Sequence, residues 1–243
     1  AWTNPDEQHI KGIIMLAALY AGLLLLVMMA GHTVLETARD SLFLARLPIR
    51  QLPFTYIAIA VAALFASELN ARMRPRGGQR RMLAMSLAIG ALGYFGFVQL
   101  FQSGAFWVPH ALYVWIAVTA TLAVAQFWIV MSELFTVTEA KRLYSSISAG
   151  GLVGAMSGGA LARVASAHFG DVSLLGIGAG LLLMAAFLAG GGAPAERCRG
   201  ARIEPEPNLA PSDAGSSEAR RDLRSERYLR RLLLLTLLAT IAA

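Results

Sequence analysis

The sequence predicts an all-α, polytopic membrane protein, and two observations support this prediction. Hydrophobic residues make up 56% of the 243 residues and charged residues only 15%, whereas soluble proteins average about 25% charged residues. The apolar residues are also grouped into stretches long enough to cross a bilayer as helices, each of which needs about 20 residues. Composition therefore excludes a soluble globular protein.

The first half of the chain predicts four spans. Residues 12–35 contain no Asp, Glu, Lys or Arg and exceed the required length, so they form the first span. Residues 51–67 form a shorter second span, which ends at the polar segment 68–81. Residues 82–132 contain no charged residue, a length that requires two spans joined by a turn near residues 102–109.

The second half adds two spans and then changes composition. Residues 143–161 and 172–192 are the fifth and sixth predicted spans. Residues 194–227 are too poor in apolar side chains to fold, so we expect a charged cytoplasmic linker there. Residues 228–243 begin a seventh, truncated transmembrane helix after this linker. The predicted domains are thus a six-helix transmembrane bundle over residues 1–193, the linker and the seventh helix, and we expect the chain to be the first part of a longer protein.

The lysines and arginines predict the orientation. Most of the 21 fall on one side of the membrane, in the N-terminus, the segment 68–81, the turn after the fourth span and the linker. The other side holds only Arg39, Arg46, Arg50 and Arg163. The positive-inside rule then predicts a cytoplasmic N-terminus in a bacterial inner membrane. The net charge of +6 needs no nucleic-acid partner, because the basic segments reach anionic headgroups of the lipid bilayer.

The chain carries no motif of an enzyme, a metal site or a cofactor site. Its one cysteine, Cys198, excludes an internal disulfide, and no Cys/His cluster has metal-site spacing. A nucleophile elbow, a phosphate-binding loop and a paired-carboxylate hydrolase site are all missing from the sequence. We therefore expect no enzymatic activity, no cofactor and no metal.

The first candidate site continues the first span over residues 31–48. On a helix His32, Glu36 and Asp40 recur every four residues, with Arg39 adjoining, so one face is ionisable. One interpretation places these residues at the membrane interface, with Glu36 and Arg39 forming an ordinary ion pair. The other makes Arg39 a cavity-facing group that attracts an anion, with Glu36 or Asp40 as its partner in the empty site.

The second candidate region covers residues 127–159. Glu139, Lys141 and Arg142 form the turn between the fourth and fifth spans, with Thr138 as the expected cap of the fifth helix. The alternative is an ordinary solvated turn. In the helix that follows, three glycines repeat every four residues, namely Gly150, Gly154 and Gly158. Small residues at this spacing let two helix backbones approach closely, so we expect a helix contact along this face.

Two stretches carry a family resemblance. The run FWIVMSELFTVTEAKRLYSSISAGGLVGAMSGG and the earlier ARDSLFLARLPIRQLPFTYIAIAVAALFASELNARM resemble the nucleotide transporter (ATP:ADP antiporter) family of plastids and intracellular bacteria. The resemblance implies the N-terminal six-helix half of a major-facilitator-like bundle that exchanges nucleotides by alternating access. It also implies that Arg39 stands where the family usually has Lys, and that Glu139 is the acid of its acid-Ala-Lys-Arg turn, followed by Lys141 and Arg142.

The leading hypothesis is a secondary transporter that exchanges nucleotides, with ATP or ADP as the anionic small-molecule substrate. Arg39, Lys141 and Arg142 would attract the phosphates, and Glu36, Asp40 and Glu139 would pair with them in the empty site. Aromatic side chains would stack on the base, namely Phe127, Trp128 or Tyr144. The missing C-terminal half of the same chain would complete the site. Two alternatives stay open: a proton-coupled carrier of a small metabolite or drug that uses His32 and Glu36, and a non-transporting anchor or sensor for a missing C-terminal domain.

Overall fold

The protein is an all-α, multi-pass membrane protein. The computed structural model describes residues 5–72 and 78–191, with side chains from residue 12 onward except at 137 and 138. Within these residues there is no β-strand. The helices are α1 (Pro5–Arg46), α2 (Leu52–Arg72), α3 (Gln79–Gln102), α4 (Val108–Leu134), α5 (Val137–Phe169) and α6 (Asp171–Gly190), with a 3₁₀ helix, Ile49–Gln51, before α2.

The helices match the predicted spans in number and order over the described residues, and local chemistry explains where several of them begin and end. The turn of residues 103–107 separates α3 from α4 inside the predicted range. Gly170, at φ +79°, ends α5 and precedes α6, because this backbone conformation is easily adopted only by glycine. The predicted linker 194–227 and seventh helix 228–243 lie outside the described residues.

The predicted fifth span differs from the others. Among the described helices, α1, α2, α3, α4 and α6 are long and apolar enough to cross a membrane, whereas α5 is not among them. Residues 143–161 contain five glycines and four serines, which lower the mean hydropathy. The same region packs along residues 22–30 of α1, which belong to the candidate span Gly12–Arg46. Small-residue helices of this kind are found at helix contacts in membranes.

α1 is the central helix, and it packs against α4, α5 and α6. α3 packs against α4 and α6, whereas α2 packs chiefly against α4 and has Thr55 as its one buried residue. Helix α3 runs parallel to α1 and antiparallel to α6, as two contacts show. Arg46 lies over the ring of Phe101 at one end, and Arg80 contacts Ala189 at the other. We call the end with Arg80 and Lys141 the basic end, and the end with Arg46 the opposite end.

Candidate functional site

The polar face of α1 begins at the middle of the bundle. His32 lines a cavity of about 10 Å³ together with Gly90 and Thr119, which lie near the midpoints of α3 and α4. Such a cavity holds at most about one water molecule. Glu36 and Asp40 follow His32 toward the opposite end at about 6 and 12 Å along the helix axis. Both positions lie inside the candidate membrane-spanning part of α1, Gly12–Arg46.

The exposed stripe of α1 changes from apolar to ionisable side chains at the level of His32. Toward the basic end the exposed side chains are apolar, among them Met15, Leu19 and Leu23. Toward the opposite end the side chains of Glu36 and Asp40 are 47% and 52% exposed. A carboxylate that faces lipid at this depth is costly, so such groups face a protein partner or a water-filled cavity.

Arg39 is the half-buried cation of this face. Its side chain is only 16% exposed, its Nε donates to Oδ1 of Asp40 at 3.0 Å, and its guanidinium carbon lies 4.2 Å from the ring centre of Tyr113 on α4. The structure thus pairs Arg39 with Asp40 rather than with Glu36, the partner of the interface interpretation. Glu36 instead lies 3.9 Å from Nε2 of His32.

Aromatic rings hold this region in place. Phe43 packs edge-on against Tyr113, with ring centres 5.1 Å apart. It packs in the same way against His110. The Tyr56 hydroxyl of α2 lies 3.4 Å from the Tyr113 hydroxyl. The sequence analysis did not identify Tyr113 as a neighbour of Arg39, because nothing in the order of residues shows that α4 brings it over Arg39.

A second arginine flanks the exposed stripe from α5. Gly159 has Thr33 as its nearest neighbour on α1, and Arg163 is one helical turn beyond Gly159 on the same face. Arg163 is exposed. Because Gly159 lies beside Thr33 and both helices advance by one turn in the same direction, Arg163 lies level with Thr37. The sequence analysis used Arg163 only to assign orientation, and the α1–α5 register is what shows its level.

A buried polar chain links three helices. The Ser86 hydroxyl on α3 donates to Oε1 of Gln126 on α4, and Nε2 of Gln126 donates to Oδ1 of Asn70 on α2 at 2.7 Å. Gln126 is 1% exposed. The sequence analysis did not identify this hydrogen-bond chain, although Gln126, the one amide side chain within Val108–Leu134, was the available signal.

Gln126→Leu is expected to lower the free energy of unfolding by about 1 kcal/mol, because interhelical hydrogen bonds in membranes contribute roughly 0.6 kcal/mol each and two are lost. Unfolding of the purified protein by increasing mole fractions of dodecyl sulfate, followed by circular dichroism, measures the change. Gln99→Leu, at an exposed position of α3, is the control. Equal stability of the two variants would contradict a structural role for the hydrogen bonds of Gln126.

The second candidate group lies at the basic end. Gly150 faces Gly22 and Gly158 faces Ala30, so α1 and α5 run parallel in a fixed register. This register places Lys141 about 40 Å from Arg39 along the bundle axis, which is much longer than a nucleotide. Lys141 and Arg142 are exposed. The structure therefore does not bring the charged candidates into one site.

Glu139 forms part of a helix cap. Its Oε2 accepts hydrogen bonds from the backbone N–H and the hydroxyl of Thr136, at 2.9 and 2.8 Å. α5 begins at Val137 with Thr136 as N-cap, so the prediction of Thr138 as the cap was wrong. The pattern Thr-x-x-Glu of a capping box was the signal that identifies the correct residue.

The three glycines of α5 lie directly on the backbone of α1. A Cβ atom at Gly150, Gly154 or Gly158 would lie 2.6, 2.2 or 2.5 Å from the carbonyl oxygen of Gly22, Leu26 or Ala30. These distances are shorter than real Cβ contacts, so the two helices meet backbone to backbone.

The aromatic residues suggested for base stacking are packed within the bundle. Phe127 is completely buried, so it cannot stack on a ligand in this conformation. Trp128 contacts Phe127 and Tyr144, with ring centres 5.4 and 5.3 Å away. Within the described residues, no group of three or more His, Cys, Asp or Glu is placed to hold a metal ion.

Comparisons of the chain with protein-family models, curated proteins and solved structures find no match.

Proposed function

We propose that this multi-pass membrane protein is a secondary transporter of an organic anion, and that the anion is a phosphorylated nucleotide exchanged by alternating access. The observation that carries the proposal is the ionisable stripe of α1. Glu36 and Asp40 are about half exposed inside the candidate span Gly12–Arg46, beside the largely buried Arg39. Intramembrane charges that are neither buried in the core nor compatible with lipid indicate a polar ligand pathway.

Arg39 is the anion-binding group in this proposal. Asp40 neutralises it while the site is empty, and a phosphate replaces that carboxylate as the partner of the guanidinium fork, which suits phosphate geometry. Arg163 supplies a second positive charge on the α5 side. Lys141 and Arg142 act at the cytoplasmic mouth instead, because the α1–α5 register separates them from Arg39.

Uptake into proteoliposomes of the complete protein tests this function. We expect labelled ATP to enter ADP-loaded vesicles that contain the protein and not ADP-loaded vesicles without it, with external unlabelled ADP competing and adenosine, which lacks phosphate, not competing. Absence of ATP entry, or equal competition by adenosine, would contradict the proposal.

The second candidate function is proton-coupled transport, and the His32–Glu36 contact of 3.9 Å favours it. His32 lines a small cavity together with Tyr94 and Thr119. In this alternative a pH gradient across the same vesicles drives uptake, and His32→Gln removes the pH dependence. Uptake that depends on internal ADP and not on the gradient favours exchange.

A further inference from the structure

A large open cavity lies between the start of α3 and the end of α6, at the basic end and away from the α1 site. Its volume is about 480 Å³. Arg80 and Arg81 line the end nearest the start of α3, which we call the mouth. Apolar residues line the rest, which we call the floor, namely Ala84, Met85, Ala88, Ala186, Ala189 and Gly190.

Arg80 is held in position at this mouth. Its Nη2 donates to the carbonyl oxygens of Ala189 and Gly191, both at 3.1 Å. These two bonds use Nη2 alone, whereas a guanidinium group also carries N–H groups on Nη1 and Nε. Arg81 beside it is exposed. Both arginines lie in the first turn of α3, where the helix dipole is unfavourable for positive charge. An anion in the cavity would therefore neutralise part of the positive charge at this helix end.

The floor of the cavity extends along the candidate membrane spans Gln79–Gln102 and Asp171–Gly190. Ala88 is eight residues after Arg80, about 12 Å deeper along α3. On the facing helix, Ala186 lies one turn before the end of α6. The cavity therefore combines a basic mouth with an apolar slot, which matches the phosphate and acyl chain of a phospholipid. Basic pockets of this kind between membrane helices bind anionic headgroups.

We propose that this cavity binds one anionic phospholipid, with its phosphate at Arg80 and Arg81 and an acyl chain along Ala84 and Ala88. A free phosphate would satisfy the arginines but would leave the apolar floor uncovered. The floor therefore favours a lipid over a soluble anion, and the site is distinct from the transport site proposed on α1.

The test measures binding of phosphatidylglycerol and phosphatidylcholine to the purified protein in detergent by native mass spectrometry. The wild-type protein is expected to retain phosphatidylglycerol in preference to phosphatidylcholine. Arg81→Gln is expected to weaken phosphatidylglycerol binding about fivefold, the effect of one basic residue near a membrane surface. Ala88→Leu, which keeps both charges and fills the slot, is expected to weaken it as well.

Two control variants lie elsewhere on the surface. Arg50→Gln removes an exposed arginine at the opposite end, and Ala58→Leu enlarges an exposed alanine of α2. Both are expected to bind phosphatidylglycerol as the wild-type protein does. Equal binding by all four variants would overturn the proposal. Displacement of the lipid by water-soluble glycerophosphoglycerol at equal concentration would also overturn it, because the site would then recognise the phosphate alone.

Discussion

Gly154→Ala is expected to lower the free energy of unfolding by about 1–3 kcal/mol, the usual cost of overpacking a tight contact. The added Cβ would lie 2.2 Å from the carbonyl oxygen of Leu26, and because that atom belongs to the backbone, α1 and α5 must move apart. Dodecyl sulfate unfolding of the purified protein, followed by circular dichroism, measures the loss.

The matched control is Gly159→Ala on the same helix. Its Cβ would meet only Thr33, at 3.9 Å, an ordinary van der Waals distance. Alanine is a better helix former than glycine by about 1 kcal/mol in soluble helices, so this variant is expected to be neutral or slightly stabilised. If Gly159→Ala destabilised the protein as much as Gly154→Ala, the backbone contact would not be the cause.

Arg39→Ala is expected to reduce nucleotide exchange by about tenfold to a hundredfold while leaving the protein inserted. A hydrogen bond to a charged group contributes about 1.5–3 kcal/mol, which corresponds to this range. The substitution also leaves Asp40 as an unpaired carboxylate, which repels an incoming phosphate. Initial rates of ATP entry into ADP-loaded vesicles measure the loss, at protein amounts matched by quantitative blotting.

Two further variants distinguish a specific role of the Arg39 guanidinium group from a general effect of positive charge. Arg39→Lys keeps the positive charge but loses the planar fork over Tyr113, so we expect intermediate exchange. Arg50→Ala removes an exposed arginine from the 3₁₀ helix and is expected to exchange at the wild-type rate. An equal loss of exchange rate in Arg39→Ala and Arg50→Ala would show that Arg39 contributes only to the orientation of the protein in the membrane.

The sequence predicted the fold class well, because long uncharged stretches indicate which segments can cross a bilayer as helices. The turn between α3 and α4 falls within residues 102–109, and the spacing of Gly150, Gly154 and Gly158 indicated the helix contact that α5 makes with α1. Hydropathy was less informative for α5, where glycines and serines replace large apolar residues.

The candidate site was less accessible from the sequence, because its partners come from other helices. Periodicity placed Arg39 on an ionisable face of α1, but Tyr113 reaches it from α4. The link from Gln126 to Asn70 likewise joins residues 56 positions apart. Helix register decides such contacts, and a single sequence contains no direct record of register.

The most direct test of the central claim is the release of labelled ADP from preloaded proteoliposomes of the complete protein. An exchanger with an anion site on α1 is expected to release ADP only when ATP is added outside, and Arg39→Ala vesicles are expected to release it about tenfold to a hundredfold more slowly. Release without external ATP, retention in its presence, or equal release from Arg39→Ala vesicles would contradict the account.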